Sequence, residues 1–570
     1  MAYFLKKSNF KKGLYLQIYE SFYDPVKKET AHRSHKPIGY ADALITAGIE
    51  DPVSYYKEIV AGMNEEIKSA KQKDHERQIS EQSPEKYLGY FLIKAVFDGL
   101  KVSRFFDFLQ IQREFRFRIG DVIEALVYSR MVEPCSKSKT FNEVIPSLFG
   151  KYDFSYDQLL DGIEFIGNEY EKVIEIFNHQ LNLKYPSDTT TTYFDGTNFY
   201  FEIDQEDDVR KKGPSKENRK DPILGMGLLL DRNQIPLGMK LYPGNQSEMP
   251  IIREVIADLK KRNNITGRTI QVADKGLNCA KNILDARRNG DGYIFSKSVK
   301  KLPATEKTWV LLQDGYKDTF DDKKTLLHRT KECVDKFPYA YEDEDGKKTT
   351  VILTEKRVVV FSPKLAKKKK IEINRMVEKA KMLKASKAKK DEFGECSKYV
   401  SFTPTDKKGN TTDGKVAVSL NRAAIQEDLL LAGYNLFVTS EIEMKAEEVH
   451  ATYRNLWRIE ESFRVMKSYL DARPVFLQKE NSIYGHFLIC YISVLLIRVL
   501  QFHVLENNYS TENILTLIEK FRVVEFNPGR YINLASSSAF IKSISNNFSL
   551  PLTNYHLTQS QINKVLNLRL

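Results

Sequence analysis

TYFDGTNFYFEI, residues 192–203, sets a carboxylate in the middle of an aromatic, strand-forming run, and its reading decides the fold. Alternation and β-propensity make the stretch a strand. Asp195 is out of place inside it, because a desolvated carboxylate needs a partner. A metal ion is one such partner, and a hairpin turn at Asp195-Gly196 is the ordinary alternative. Outward from it, PILGMGLLLD (222–231) and IPLGMKLYPGN (235–245) read as two further strands. MPIIREVIADLKKR (249–262) reads as a helix and TIQVADKG (269–276) as a fourth strand. That succession is a mixed α/β order. Asp274 closes the fourth strand, where an α/β sheet presents its ligand-binding edge.

The flanks differ in character. Residues 1–50 alternate as a β-hairpin module, with Leu14, Leu16 and Ile18 between polar positions and a turn at Asp24-Pro25. The module carries Lys6, Lys7, Lys11, Lys12, Lys27 and Lys28. Residues 51–184 take a helical pattern, expected to form a helical domain. The α/β core is expected over 185–300 and again over 433–505, interrupted at 301–432 by charged strand-like pieces and a lysine-dense helix from Lys364 to Lys390. Residues 506–570 read as a helical tail.

Bulk properties narrow the class. At 570 residues several domains are expected, and 42 % hydrophobic with 29 % charged residues is a globular composition. A net charge of +12 favours a polyanionic partner. The five cysteines include no C-x-x-C pair, which fits a reducing cytoplasm better than a disulfide frame or zinc site. The opening MAYFLKKSNF has too short an apolar run for a signal peptide, so export is not expected. FLICYISVLLIRVL (487–500) is 14 residues long, short of the roughly 20 that span a bilayer, and is read as a buried helix rather than a membrane contact.

ATYRNLWRIEESFRVMKSYL (451–470) carries the third acidic group. Tyr453, Glu460 and Lys467 recur every seven residues, along one stripe of a helix. Leu456, Ile459, Phe463 and Met466 account for a core face, but not for a phenol, a carboxylate and an ammonium at its margin. Phosphodiester chemistry supplies a reason. Two Mg²⁺ ions need oxygen ligands, which Asp195, Asp274 and Glu460 provide, and neighbouring groups such as Tyr453, Arg458, Arg464 and Lys467 can grip phosphates.

Tyr453-x6-Glu460-x6-Lys467, with YFDGTN and VADKG, resembles the Tyr-Arg-Glu-Lys signature and the aspartate strands of bacterial insertion-sequence transposases of the DDE type. The likeness covers roughly residues 185–500. It implies a ribonuclease H-like core with a β-rich insertion, two Mg²⁺ ions with Mn²⁺ as substitute, and cut-and-paste movement of the element. The implied partners are the element's terminal inverted repeats, target DNA and a second copy of the chain, with residues 51–184 as a helical DNA-binding or assembly domain. The signature's arginine position holds Leu456 here, flanked by Arg454 and Arg458. Asp274 and Glu460 are 186 residues apart, which leaves room for the insertion, whose single tryptophan, Trp309, the resemblance makes a candidate for stacking on a displaced base.

Weaker candidates are Glu248 as a fourth carboxylate after a Gly244-Asn245 turn, and His486 as a neighbour of the site, for which a buried, hydrogen-bonded histidine is the ordinary reading. The rival functions are a stand-alone metal-dependent nuclease of the same core and a catalytically inactive DNA-binding relic.

Overall fold

Leu16 and Ile18 are buried, as their alternation predicts, on a strand of a three-stranded antiparallel sheet. Its strands are β1 (Ala2–Phe10), β2 (Gly13–Asp24) and β3 (Glu29–Tyr40). Helices α1 (Ala41–Thr46) and α2 (Pro52–His75) follow. From α2, Asn64 bonds both the N–H and the carbonyl of Tyr3, which satisfies part of an edge strand. The computed structural model describes residues 2–24, 29–75, 83–111, 113–216, 220–262, 267–342, 346–385, 390–405 and 415–570. Pro25, Lys27, Lys28 and part of the lysine-rich segment before Lys390 fall outside them. The chain divides into two compact units, Met1–Ser83 and Pro84–Leu570.

The second unit begins with β4 (Glu85–Tyr87) and a helical layer of α3 (Phe91–Leu100), α4 (Ser103–Gln110), α5 (Ile119–Val132), the single turn α6 (Lys137–Lys139), α7 (Tyr156–Asn168) and α8 (Tyr170–Lys184). A capping box between Ser155 and Gln158 starts α7. Gly167 ends it against the long apolar helix 480–499 so closely that a Cβ there would lie 1.6 Å from Asn481 O.

The predicted order of strands and helix appears next: β5 (Thr191–Tyr200), β6 (Ile223–Leu230), β7 (Pro236–Pro243), α9 (Glu248–Arg262), β8 (Ile270–Ala273), α10 (Ala280–Arg288) and β9 (Gly292–Lys297). β5, β6 and β7 form an antiparallel meander, while β8 lies parallel to β5, and β9 parallel to β8. The segment 301–432 adds α11 (Ala304–Leu311), β10 (Lys317–Phe320), β11 (Leu326–Glu342), β12 (Lys348–Phe361), α12 (Pro363–Ala385), the β13–β14 hairpin (Val400–Thr405, Lys415–Leu420) and α13 (Arg422–Leu431). Its long strands do not stand apart. β12 pairs with β15 (Tyr434–Thr439), which pairs with β9, so one nine-stranded sheet runs β10-β11-β12-β15-β9-β8-β5-β6-β7. On α12, Ala366, Ile373, Val377 and Ala380 are buried, and the run Lys367–Lys370 is exposed.

Three helices complete the core: α14 (Ala446–Arg454), α15 (Trp457–Arg464) and α16 (Glu480–Val499). With its following π-turn, α16 is long and apolar enough to cross a membrane, but 83 % of its most apolar window is buried inside the protein. The tail, predicted helical, also contributes strands. Between α17 (Thr511–Lys520), α18 (Ala539–Asn547) and α19 (Gln559–Leu566) lie β16 (Arg522–Asn527), β17 (Arg530–Asn533) and β18 (His556–Thr558), which form a four-stranded sheet with β4.

Candidate active site

The parallel register sets the two aspartates side by side. Phe194 pairs with Ala273 at the end of the β5–β8 ladder, so the next residue on each strand is Asp195 and Asp274. Neighbouring strands lie about 4.8 Å apart, and residues in register on parallel strands point to the same face. That face is the one on which Tyr193, Phe199, Val272 and Ile294 join the main core, whereas Phe194, Ala273 and Phe295 pack on the other. Ala273 pairs in turn with Phe295 on β9, and the next residue, Ser296, donates its hydroxyl to Asp274 Oδ1 at 2.9 Å. Phe437 of β15 lies opposite Ser296, so Asp195, Asp274, Ser296 and Phe437 form one row across four strands.

Tyr453, on α14, lies over this row. Its ring centroid is 4.4 Å from that of Phe437, and its hydroxyl donates to Asp274 Oδ1 at 3.0 Å. Burial, and then the charges of Asp274 and Asp195, push the phenol far above its ordinary pKa, so at neutral pH it is a donor. Both donors use Oδ1 of Asp274, and among the described residues none meets Oδ2. An open carboxylate oxygen beside a second carboxylate is the donor chemistry that a hard divalent cation takes.

Glu460 comes from α15, which packs against β5. The expected single helix is interrupted. Asn455 and Leu456 make a tighter turn between α14 and α15, with bonds back to Thr452 and Tyr453, and a π-turn, Val465–Tyr469, follows Arg464. Asn455 donates to Tyr193 Oη at 3.4 Å, and Lys467 Nζ lies 5.2 Å from the ring of Phe199. Tyr193 and Phe199 bracket Asp195 on one face of β5, so the segment carrying Glu460 runs along that face. Glu460 itself is exposed, and among the described residues no three Asp, Glu, His or Cys side chains gather closely enough to hold a metal ion. The pair Asp195–Asp274 is assembled; Glu460 stands on the adjoining helix without closing on it.

A buried charge network, invisible to the sequence reading, anchors α15 from below. Glu461 bonds Arg458 at 3.0 Å, Arg498 at 3.2 Å and Thr511 Oγ1 at 2.8 Å. Arg498 is fully buried on α16 and also donates to Ser462 and Gln501. Burial works against the charge on Glu461, but Arg498, Thr511 and Arg458 hold its pKa below the usual carboxylate value. Arg458 thus points inward, stacked on Trp457 at 3.9 Å, while Arg464 remains largely exposed, 3.9 Å from Glu461. Leu456, at the signature's arginine position, is buried in the core.

Other candidates lie elsewhere. Trp309 is half-buried on α11 beside a small cluster of Val299, Leu302, Val310, Val359 and Leu436, with Lys331 Nζ 5.2 Å from its ring. His486 is buried and bonded to Ala472 O and Lys137. Ser247 caps α9 by accepting from Met249 N at 3.4 Å, whereas the side chain of Glu248 lies outside what is described. Ser296 was missed in the sequence because a serine ending GYIFSK carries no signal until the register sets it beside Asp274.

The transposase DDE domain, as a family model, matches residues 186–496, more than half of the chain. The chain belongs to the DDE-domain transposase family. A comparison with curated proteins found no match. The matched DDE domain begins just before β5 and ends within α16, so it contains both aspartates, the inserted strands and the Glu460 helix.

Proposed function

We propose that this transposase binds the ends of its own insertion sequence and moves it by cut-and-paste strand cleavage and transfer, with Asp195, Asp274 and Glu460 as its catalytic carboxylates. The observation that carries the reading is the in-register placement of Asp195 and Asp274 on adjacent parallel strands, with Tyr453 bonded to one of them. The order β7-β6-β5-β8-β9, three of its strands parallel, supports a ribonuclease H-like core.

The two aspartates and Glu460 would hold two Mg²⁺ ions, or Mn²⁺ in their place. Bound there, the ions supply activation of the attacking oxygen and neutralisation of the leaving one. Tyr453 and Ser296 fix the Asp274 carboxylate through Oδ1. The Glu461–Arg498 pair sets the pose of α15 and hence the side from which Glu460 approaches. Lys467 and Arg464 lie on the β5 side of this segment and its exposed margin, where they would pair with DNA phosphates; Arg458 shares Glu461 with Arg464 from below. Trp309, half-exposed in the insertion, would stack on a base near the cut end. Two copies of the chain would pair two element ends, in the compartment that holds the genome.

The test is strand transfer with purified protein, a duplex copied from the DNA flanking the gene, target DNA and Mg²⁺. Joined product is expected. Cleavage that never yields joined product would assign the chain to the stand-alone nucleases.

A further inference from the structure

A cluster of basic side chains lies just past the end of the Glu460 segment. Arg130 of α5 is 6 % exposed, and its guanidinium donates to Leu470 O at 3.3 Å. Lys137 Nζ lies 3.3 Å from His486 Nδ1, and His486 Nε2 lies 3.1 Å from Ala472 O. A carbonyl only accepts, so Nε2 carries the proton and Nδ1 accepts from the lysine. Burial first, and then Lys137 and Arg130, hold the pKa of His486 well below its ordinary value, and burial followed by Arg130 does the same to Lys137, so the pocket disfavours positive charge on both. Among the described residues neither Arg130 nor Lys137 makes an ion pair with a carboxylate. Asp471 stands at the mouth, exposed.

These groups line a cavity of about 240 Å³ that opens beside Tyr156 and Phe476, the latter 75 % exposed. Arg130 and Lys137 raise the cost of each other's charge, with the exposed Asp471 as the carboxylate in the lining, and a phosphate entering the cavity would favour the protonated Lys137. The walls come from the stretch directly after Lys467, and Arg473 lies 5.1 Å from the ring of Tyr200, at the end of β5. A strand leaving Asp195 along β5 would therefore pass Lys467 and Arg473 before reaching the cavity. The ten residues from Glu460 to Leu470 span about 15 Å of helix, or roughly four phosphates of one DNA strand.

We propose that this cavity, lined by Arg130 and Lys137, takes a backbone phosphate of the bound DNA, with the adjoining base against Phe476. The proposal rests on the DNA-binding reading above and adds a contact outside the Tyr453–Lys467 segment. Its test uses the full chain, the flanking-DNA duplex and inorganic phosphate as separate probes. Cys135, which also lines the cavity, reports occupancy through its alkylation rate, read by peptide mass. The duplex should slow that alkylation several-fold in the parent protein, a readout that needs no variant. Lys137→Met should make the dependence of log affinity on log salt shallower by about 0.9 and remove the protection, while Lys137→Arg should retain both. A parent that binds the duplex with Cys135 unprotected, or a folded Lys137→Met variant with an unchanged salt slope, would overturn the assignment. Protection by inorganic phosphate but not by the duplex would place a free anion there instead, and overturn it as well. A parent that binds no duplex at all would overturn the DNA reading itself, a result distinct from these.

Discussion

Asp195 and Asp274 were legible because a carboxylate within or at the end of an apolar strand needs an explanation, and the register of β5 and β8 places both explanations at one point. Replacing either by Asn, or Glu460 by Gln, should lower strand cleavage by a factor of roughly 10³ while leaving end binding nearly intact, since ligating and phosphate-pairing groups differ. Parallel cleavage and mobility-shift assays check this, and a variant cutting at the parental rate would remove its residue from the site. Tyr453→Phe keeps the packing on Phe437 and loses one donor to Asp274, so cleavage should fall roughly tenfold, the scale of one hydrogen bond to a charged group. Lys467→Ala should weaken DNA binding and flatten its salt dependence by about one unit of slope, measured by titration at several salt concentrations.

The element that carries Glu460 was legible in outline only. Its seven-residue spacing predicts one helix, but the turn at Asn455–Leu456 and the π-turn after Arg464 answer to packing on β5 and α16, which no local pattern encodes. The buried partner of Glu461 was equally hidden, because Arg498 sits in an apolar run that reads as core and its partner lies 37 residues earlier. Arg498→Met should destabilise the second unit by about 3–5 kcal/mol, since it strands a buried carboxylate, and chemical unfolding measures it. The depressed pKa of Glu461 gives a sign as well: its contribution is complete above the ordinary carboxylate value near 4.5 and is lost as pH falls through the lower folded value. Glu461→Gln should therefore narrow the stability difference between neutral and acid pH, and a difference equal to the parent's would show that the network carries no such linkage.

At the scale of the whole molecule, hydropathy and alternation located the α/β core, the basic interruption and the buried helix. Long-range pairing stayed out of reach. The charged strands β11 and β12 join the central sheet through β15, and the short tail strands β17 and β18 join β16, which pairs back to β4 from the far end of the chain, contacts that composition cannot announce. The proposed site is itself long-range: two aspartates already side by side and a glutamate on the adjoining helix would converge on shared metal ions once DNA is bound. The measurement that tests it most directly is anomalous scattering from a crystal of the protein with an element-end duplex and Mn²⁺. Manganese peaks bridging Asp195 and Asp274 are expected, with Glu460 drawn to about 2.1 Å from one of them. Peaks absent from the aspartate pair, or Glu460 left outside coordination with the duplex in place, would contradict it.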